Sequence, residues 1–120
     1  MRRPTAGGSR RKAAAAFARL RARVVAVVAA VPEGRVTTYG TLGRHLRATA
    51  RQVARVLASL TDEESATLPW FRVVAANGVV STIKLGAVGR RQVTRLREEG
   101  VAVTPRNTVA EFDALVWSPG

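Results

Sequence analysis

Phe17, Leu20, Val24, Val27 and Val31 recur every three or four residues, and that spacing constrains the fold more than any other feature of the chain. At about 3.6 residues per turn these side chains share one apolar stripe, which predicts a helix over 13–30 with a single buried face. Arg19, Arg21 and Arg23 ride its other faces, and Val31-Pro32-Glu33-Gly34 stops it ahead of a short extended piece, Arg35-Val36-Thr37. A lone helix cannot bury such a stripe, so the rest of the chain must cover it. Two short helices are suited to that task. Thr38 caps the first, which runs through Leu46 with Leu42 and Leu46 inward, and Thr49 caps the second, Ala50 to Leu60. In the second, Val53, Val56, Leu57 and Leu60 form the apolar stripe, Ala50 and Ala54 keep the surface slim, and Arg51, Gln52 and Arg55 stay outside. With Arg47 and Ala48 as a tight connection, the pair reads as a helix-turn-helix.

The remainder divides into shorter pieces. Thr61 to Thr67 carries Asp62, Glu63 and Glu64 and reads as a solvated loop without the spacing of a metal site. In Val73 to Ser81, β-branched residues flank Asn77-Gly78, the preferred pair for a tight reversal, which predicts a β-hairpin acting as a wing. Thr82 to Gly89 reads as a mobile basic loop. Arg90 to Glu99 is a further helix, with Val93 and Leu96 inward and Gly100 as a left-handed cap. Thr108 to Val116 opens with a capping-box pattern, and Phe112, Leu115 and Trp117 would pack that segment back on the body. The expected fold is mainly α with a small β-hairpin, a winged helix-turn-helix. Residues 1–12, rich in Arg with Pro4, Gly7 and Gly8, are expected to form a disordered basic arm ahead of one domain, 13–120.

Charge narrows the partners. A net charge of +12 favours a polyanion, nucleic acid before an anionic membrane surface. The longest apolar run, Val24 to Val31, is too short to span a bilayer, and no secretory leader is expected from the first residues. The chain has no cysteine, which removes disulfides, thiolate zinc sites and any Cys nucleophile. His45 is its single histidine, so little material exists for acid–base or metal chemistry, and no cofactor is expected. Pro69-Trp70-Phe71-Arg72-Val73 sets two aromatic rings beside a guanidinium. Such rings either stack on a base, at roughly 1–3 kcal/mol per base, or belong to the core.

The order of four stretches resembles the DNA-binding domain of O6-alkylguanine-DNA alkyltransferases, and more closely the alkyltransferase-like proteins. They are Val31-Pro32-Glu33-Gly34-Arg35-Val36-Thr37-Thr38-Tyr39-Gly40, Ala50-Arg51-Gln52-Val53, Pro69-Trp70-Phe71-Arg72-Val73-Val74 and Leu96-Arg97-Glu98-Glu99-Gly100-Val101. The resemblance covers Phe17 to Val103 and implies the alkyltransferase C-terminal domain fold. In active alkyltransferases the central motif reads Pro-Cys-His-Arg-Val, and its cysteine takes the alkyl group. Here Trp70 stands at the nucleophile's position, Phe71 at the histidine's, and Glu99 at that of the relay carboxylate. The resemblance therefore implies a protein that is not an enzyme, because an indole cannot accept the alkyl group and Phe71 cannot move a proton.

What the resemblance implies instead is recognition of O6-alkylguanine in double-stranded DNA. The helix-turn-helix would dock in the minor groove, using Tyr39, Thr49, Ala50, Arg51, Gln52 and Arg55, and flip the damaged nucleotide. Arg51 matches the arginine finger that fills the gap in the stack, and Tyr39 the tyrosine that contacts the phosphate. Tyr39, Trp70, Phe71 and Val73 match the lesion pocket, Trp70 and Val73 through their backbone carbonyls. A monomer acting with the nucleoid in the cytoplasm or in the nucleus, with nucleotide excision repair proteins as partners and no membrane, follows from the same likeness. The chain departs from the family at Phe71, at a shorter turn before Arg51, and over Thr82 to Gly89, which aligns poorly. The alternative is a winged-helix DNA-binding or architectural module without lesion specificity.

Overall fold

The computed structural model describes residues 6–120, and the surroundings of side chains from Ser9 onward. Helix α1 spans Ala6–Ala29. The expected arm is therefore corrected from Ala6 on: the alanine run carries helical backbone back through the basic residues, while residues 1–5 lie outside the described part. No helix among the described residues is long and apolar enough to cross a membrane.

After the stop at residues 30–35, where Gly34 takes φ +78°, come strand β1 (Thr37–Thr38), α2 (Tyr39–Leu46) and α3 (Ala50–Ala58). The Thr38 side chain accepts from the Thr41 N–H at 3.0 Å and starts α2. Thr49 and Gln52 cap α3 reciprocally: the Thr49 hydroxyl accepts the Gln52 N–H at 3.0 Å, and the Gln52 carboxamide accepts the Thr49 N–H at 2.8 Å. The turn between them is tight. Arg47 is left-handed at φ 57°, and a Cβ on Gly43 would meet the Ala48 carbonyl oxygen at 2.6 Å.

A further helix, α4 (Asp62–Thr67), replaces the loop expected there. Thr61 and Glu64 form a second capping box, and three acids in the first turn suit the positive end of the helix. Glu64 also pairs with Arg21 of α1. The Arg21 hydrogen bond, ahead of the Thr61 N–H, holds the Glu64 carboxyl down at about 2.

The β-hairpin is absent, although its turn is present. Asn77 (φ 62°, ψ 17°) and Gly78 (φ 84°) take the left-handed conformations expected of the pair and reverse the chain. The two arms then leave for different partners. Strand β2 (Val73–Val74) lies parallel to β1, Thr37 beside Val73 and Thr38 beside Val74. Val79 instead bridges to Thr108, and the Val80 N–H donates to the Asn107 carbonyl at 2.8 Å. Pairing with buried β1 on one side and with the half-buried 107–108 segment on the other outcompetes the local ladder, because an isolated two-stranded hairpin is marginal in water.

The β1–β2 pair also divides the core. Successive strand residues face opposite ways, so Val73 joins Val24, Val28, Leu42, Val53 and Val56 beneath the three N-terminal helices. Val74 joins Val36, Phe71, Val80, Val93, Leu96 and Val101 on the other side. Ser81–Leu85 is a 3-10 turn leading into α5 (Ala87–Glu98), so the expected basic loop is ordered backbone. A Cβ on Gly89 would come within 2.3 Å of the Ile83 Cα, which is how closely α5 holds that turn. Gly100, at φ +82°, ends α5 as expected. The C-terminal segment forms only α6 (Phe112–Leu115), entered through a left-handed Glu111 rather than capped by Thr108. Arg35 secures it by donating to the Leu115 and Val116 carbonyls, each at 2.8 Å.

Candidate functional site

Between α3, the start of α2, the Trp70–Arg72 turn and the Ser81–Leu85 turn lies a cleft of about 520 Å³, within the size range of ligand pockets. One wall is the Ala50, Ala54 and Ala58 face of α3, side chains four apart that leave the backbone close to the opening. Trp70 also lines the cleft. Its indole N–H donates to the Ser65 carbonyl of α4 at 3.1 Å, so the ring is held half-buried at a set angle, edge-on to Phe71 at 6.0 Å. Leu57, Leu85 and Val88 add apolar surface, and Leu85 is 63% exposed at the rim. Arg51 and Lys84 supply positive charge.

Tyr39 borders the cleft beside Ser81. Burial raises the phenol above its ordinary value, partly offset by a hydrogen bond from the Ser81 side, so the hydroxyl remains neutral and able to donate to an anion. Tyr39 and Ala50 also border a second groove of about 540 Å³, where Arg44 and Thr41 lie. The two hollows flank the N-terminus of α3.

Tyr39, Ala50, Arg51 and Trp70 are thus brought together at one opening. Phe71 and Val73, which the resemblance put on the pocket wall, do not line it. Phe71 is buried behind Trp70, with the Arg95 guanidinium 4.4 Å and that of Arg72 5.4 Å from its ring centre. Val73 faces the N-terminal core because the alternation of β2 sends it there. Both carbonyls implied for the pocket have partners inside the protein. That of Trp70 accepts the Val73 N–H, and that of Val73 accepts from Gln92 at 2.8 Å. Among the other residues of α3, Thr49 and Gln52 cap each other. Gln52 and Arg55 border a separate hollow against α1, where Arg55 lies 4.9 Å above the Phe17 ring.

Glu99 holds the end of α5 in place. Arg72 grips it through two guanidinium nitrogens and donates a third bond to the Val31 carbonyl at 2.7 Å, while the Gly34 N–H donates to Glu99 at 3.1 Å. Burial alone would raise its pKa, but the Arg72 and Gly34 hydrogen bonds with the Arg72 and Arg95 charges outweigh it and the carboxyl is lowered. It is an ionised clamp rather than a proton acceptor.

Gln92 was not visible as a site residue in the sequence. Fully buried on α5, it donates to the Phe71 and Val73 carbonyls at 3.0 and 2.8 Å and accepts from the Thr82 hydroxyl. One carboxamide therefore ties the strand behind Trp70 to the Thr82 wall of the cleft. A lone Gln in a helix gives no sequence signal of this kind, and Ser81, Thr82, Lys84, Leu85 and Val88 carry no periodic pattern either.

Comparison with known proteins bears on this arrangement. A family model described as 6-O-methylguanine DNA methyltransferase, DNA binding domain, matches residues 19–101. Alkyltransferase-like protein 1 of Schizosaccharomyces pombe is 36% identical over 103 residues, 81% of this chain and 93% of that protein. The DNA base-flipping protein of Escherichia coli is 45% identical over 84 residues, 68% of this chain and 62% of that one. Two solved structures are similar. S. pombe Atl1 in complex with damaged DNA containing O6-carboxymethylguanine has a TM-score of 0.71 at 32% identity, covering 82% of this chain and 94% of that chain. S. pombe ATL in complex with DNA has a TM-score of 0.72 at 30% identity, covering 84% and 96%.

Proposed function

The chain belongs to the 6-O-methylguanine DNA methyltransferase DNA-binding-domain family, among the alkyltransferase-like proteins, and we propose that it recognises O6-alkylguanine in DNA without repairing it. The observation that carries the reading is the Trp70 indole, fixed through Ser65, lining one open cleft with Arg51 and Tyr39 in a chain that has no thiol.

The slim alanine face of α3 lets the helix enter a minor groove. Arg51 then occupies the gap left by the extruded nucleotide, stacking its planar cation between bases and balancing phosphate charge. Neutral Tyr39 donates to the phosphate of the rotating nucleotide. The everted base enters the cleft and meets the Trp70 ring, and a stacking gain of about 1–3 kcal/mol offsets much of an unstacking cost of a few kcal/mol. Trp70 occupies the nucleophile's position and offers the alkyl carbon nothing to bond with, so the complex persists until other factors act. Delivery to nucleotide excision repair, at the nucleoid or in the nucleus, follows from the family likeness.

The test is binding of one short duplex with and without O6-methylguanine at fixed salt, for the parent and for Trp70→Ala. Tighter binding of the modified duplex that weakens with Trp70→Ala is expected. Equal affinities for the two duplexes would leave a helix-turn-helix DNA-binding module without lesion specificity.

A further inference from the structure

The family match begins at residue 19, yet α1 starts at Ala6, so the first turns of this helix lie ahead of the matched stretch. Their direction follows from the pairing of α1 with α3. Arg21 donates to the Ser59 hydroxyl, and Phe17 lies under Arg55, an offset of 38 residues in both pairs. Ala13 and Ala16 border the same hollow as Gln52. The two helices therefore run side by side in the same direction. Continued by the same offset, Arg10, Arg11 and Lys12 draw level with the capped N-terminus of α3, the end that carries Ala50 and Arg51.

These three side chains are exposed, and no acidic residue precedes Glu33 in the sequence. Arg10 stands seven residues before Phe17, almost two full turns, and so shares its face about 10 Å further along the axis. Arg11 and Lys12 flank it. Charge of one sign, held on rigid backbone beside the recognition helix, complements a row of phosphates.

We propose that the first turns of α1 form a second DNA contact, in which Arg10, Arg11 and Lys12 bind backbone phosphates flanking the site engaged by α3. The proposal rests on the DNA-binding reading above but not on its lesion preference. Phosphate contacts carry no base information, so this surface adds affinity and footprint, while discrimination stays with the Trp70 cleft that receives the base.

The experiment is a salt titration of binding to an unmodified and an O6-methylguanine duplex. It compares the parent, Arg10→Gln/Arg11→Gln/Lys12→Gln, and the control Arg19→Gln/Arg23→Gln, which removes exposed charge from α1 beyond the middle of α3. Each lost phosphate contact lowers the log–log salt slope by about 0.9, so the triple variant should be shallower by about 2–3 on both duplexes. Its ratio of affinities for the two should match the parent's. A fall below about 1, or one equalled by the control, overturns the proposal, and so does a triple variant whose lesion ratio collapses. Circular dichroism confirms that each variant keeps its helix. A parent without lesion preference would refute the proposed function, yet the slope on unmodified duplex would still decide this contact.

Discussion

Gln92→Leu isolates the carboxamide that joins the two sides of the cleft. Leucine fills nearly the same space but removes both donors to the Phe71 and Val73 carbonyls and the acceptor for Thr82. The half-buried Thr82 hydroxyl can turn to water, so its loss counts little. The carbonyls belong to buried residues, and each loses a donor at about 1–3 kcal/mol. Relief from burying a carboxamide, with leucine's better transfer energy, returns about 1–2 kcal/mol. With each range taken at its middle the net loss is about 2–3 kcal/mol, which at about 2 kcal/mol per molar urea lowers the midpoint by about 1–1.5 M. Urea unfolding followed by the fluorescence of Trp70 and Trp117 measures it, with Thr82→Val as the control expected to cost under about 1 kcal/mol. A Gln92→Leu midpoint within about 0.3 M of the parent at an unchanged slope would refute the assignment of Gln92 as the partner of those carbonyls.

Four further outcomes are expected. Arg51→Ala and Tyr39→Ala should each weaken lesion binding at physiological salt more than deletion of residues 1–12, because screening reduces the share of exposed charge; a larger effect of the deletion in a fluorescence-anisotropy titration would contradict the roles of both residues. Thr37→Val should stabilise by about 1 kcal/mol, raising Tm by about 3–6 °C in calorimetry, since the buried Thr37 hydroxyl has no hydrogen-bond partner among the described residues. Gly89→Ala should cost about 1–3 kcal/mol and also weaken DNA binding, because the new Cβ would stand 2.5 Å from the Thr82 carbonyl and force that wall of the cleft to move; an unchanged Tm and Kd would count against it. Glu64 lies at about 2 against an ordinary 4.5, so the stability it adds is complete above pH 4.5 and disappears as pH falls toward 2. Glu64→Gln should flatten the parent's loss across that window in pH-dependent urea midpoints, and an identical decline in the variant would disprove the linkage.

Local chemistry alone determined the helical frame. The stripe from Phe17 to Val31, Thr38 before α2 and the Thr49–Gln52 box before α3 are short-range signals; α2 and α3 begin at the residues their caps specify, while α1, with no such cap, begins at Ala6 rather than at residue 13. The same logic reads α4 from Thr61 and Glu64, whose capping box was hidden under a cluster of acids that resembled a solvated loop. The motif order from Pro32 to Gly100 also disclosed the family, and it pointed to Tyr39, Arg51 and Trp70, which line one cleft.

Tertiary structure decided what those elements meet. Asn77-Gly78 turns the chain as its two residues require, but the partners of Val74 and Val79 lie at Thr38 and Thr108, far away in sequence, so no local pattern could name them. Phe71 and Val73 turn inward because the strand that follows Trp70 is covered on both faces, which reserves the cleft for the indole. Thr82 and Leu85 become part of that cleft, and Gln92 its buried support, only through the packing of α5 on the turn before it. Caps and stripes are interactions of neighbours and can be read along the chain, whereas the walls of a cleft come from segments whose only relation is contact in the folded protein.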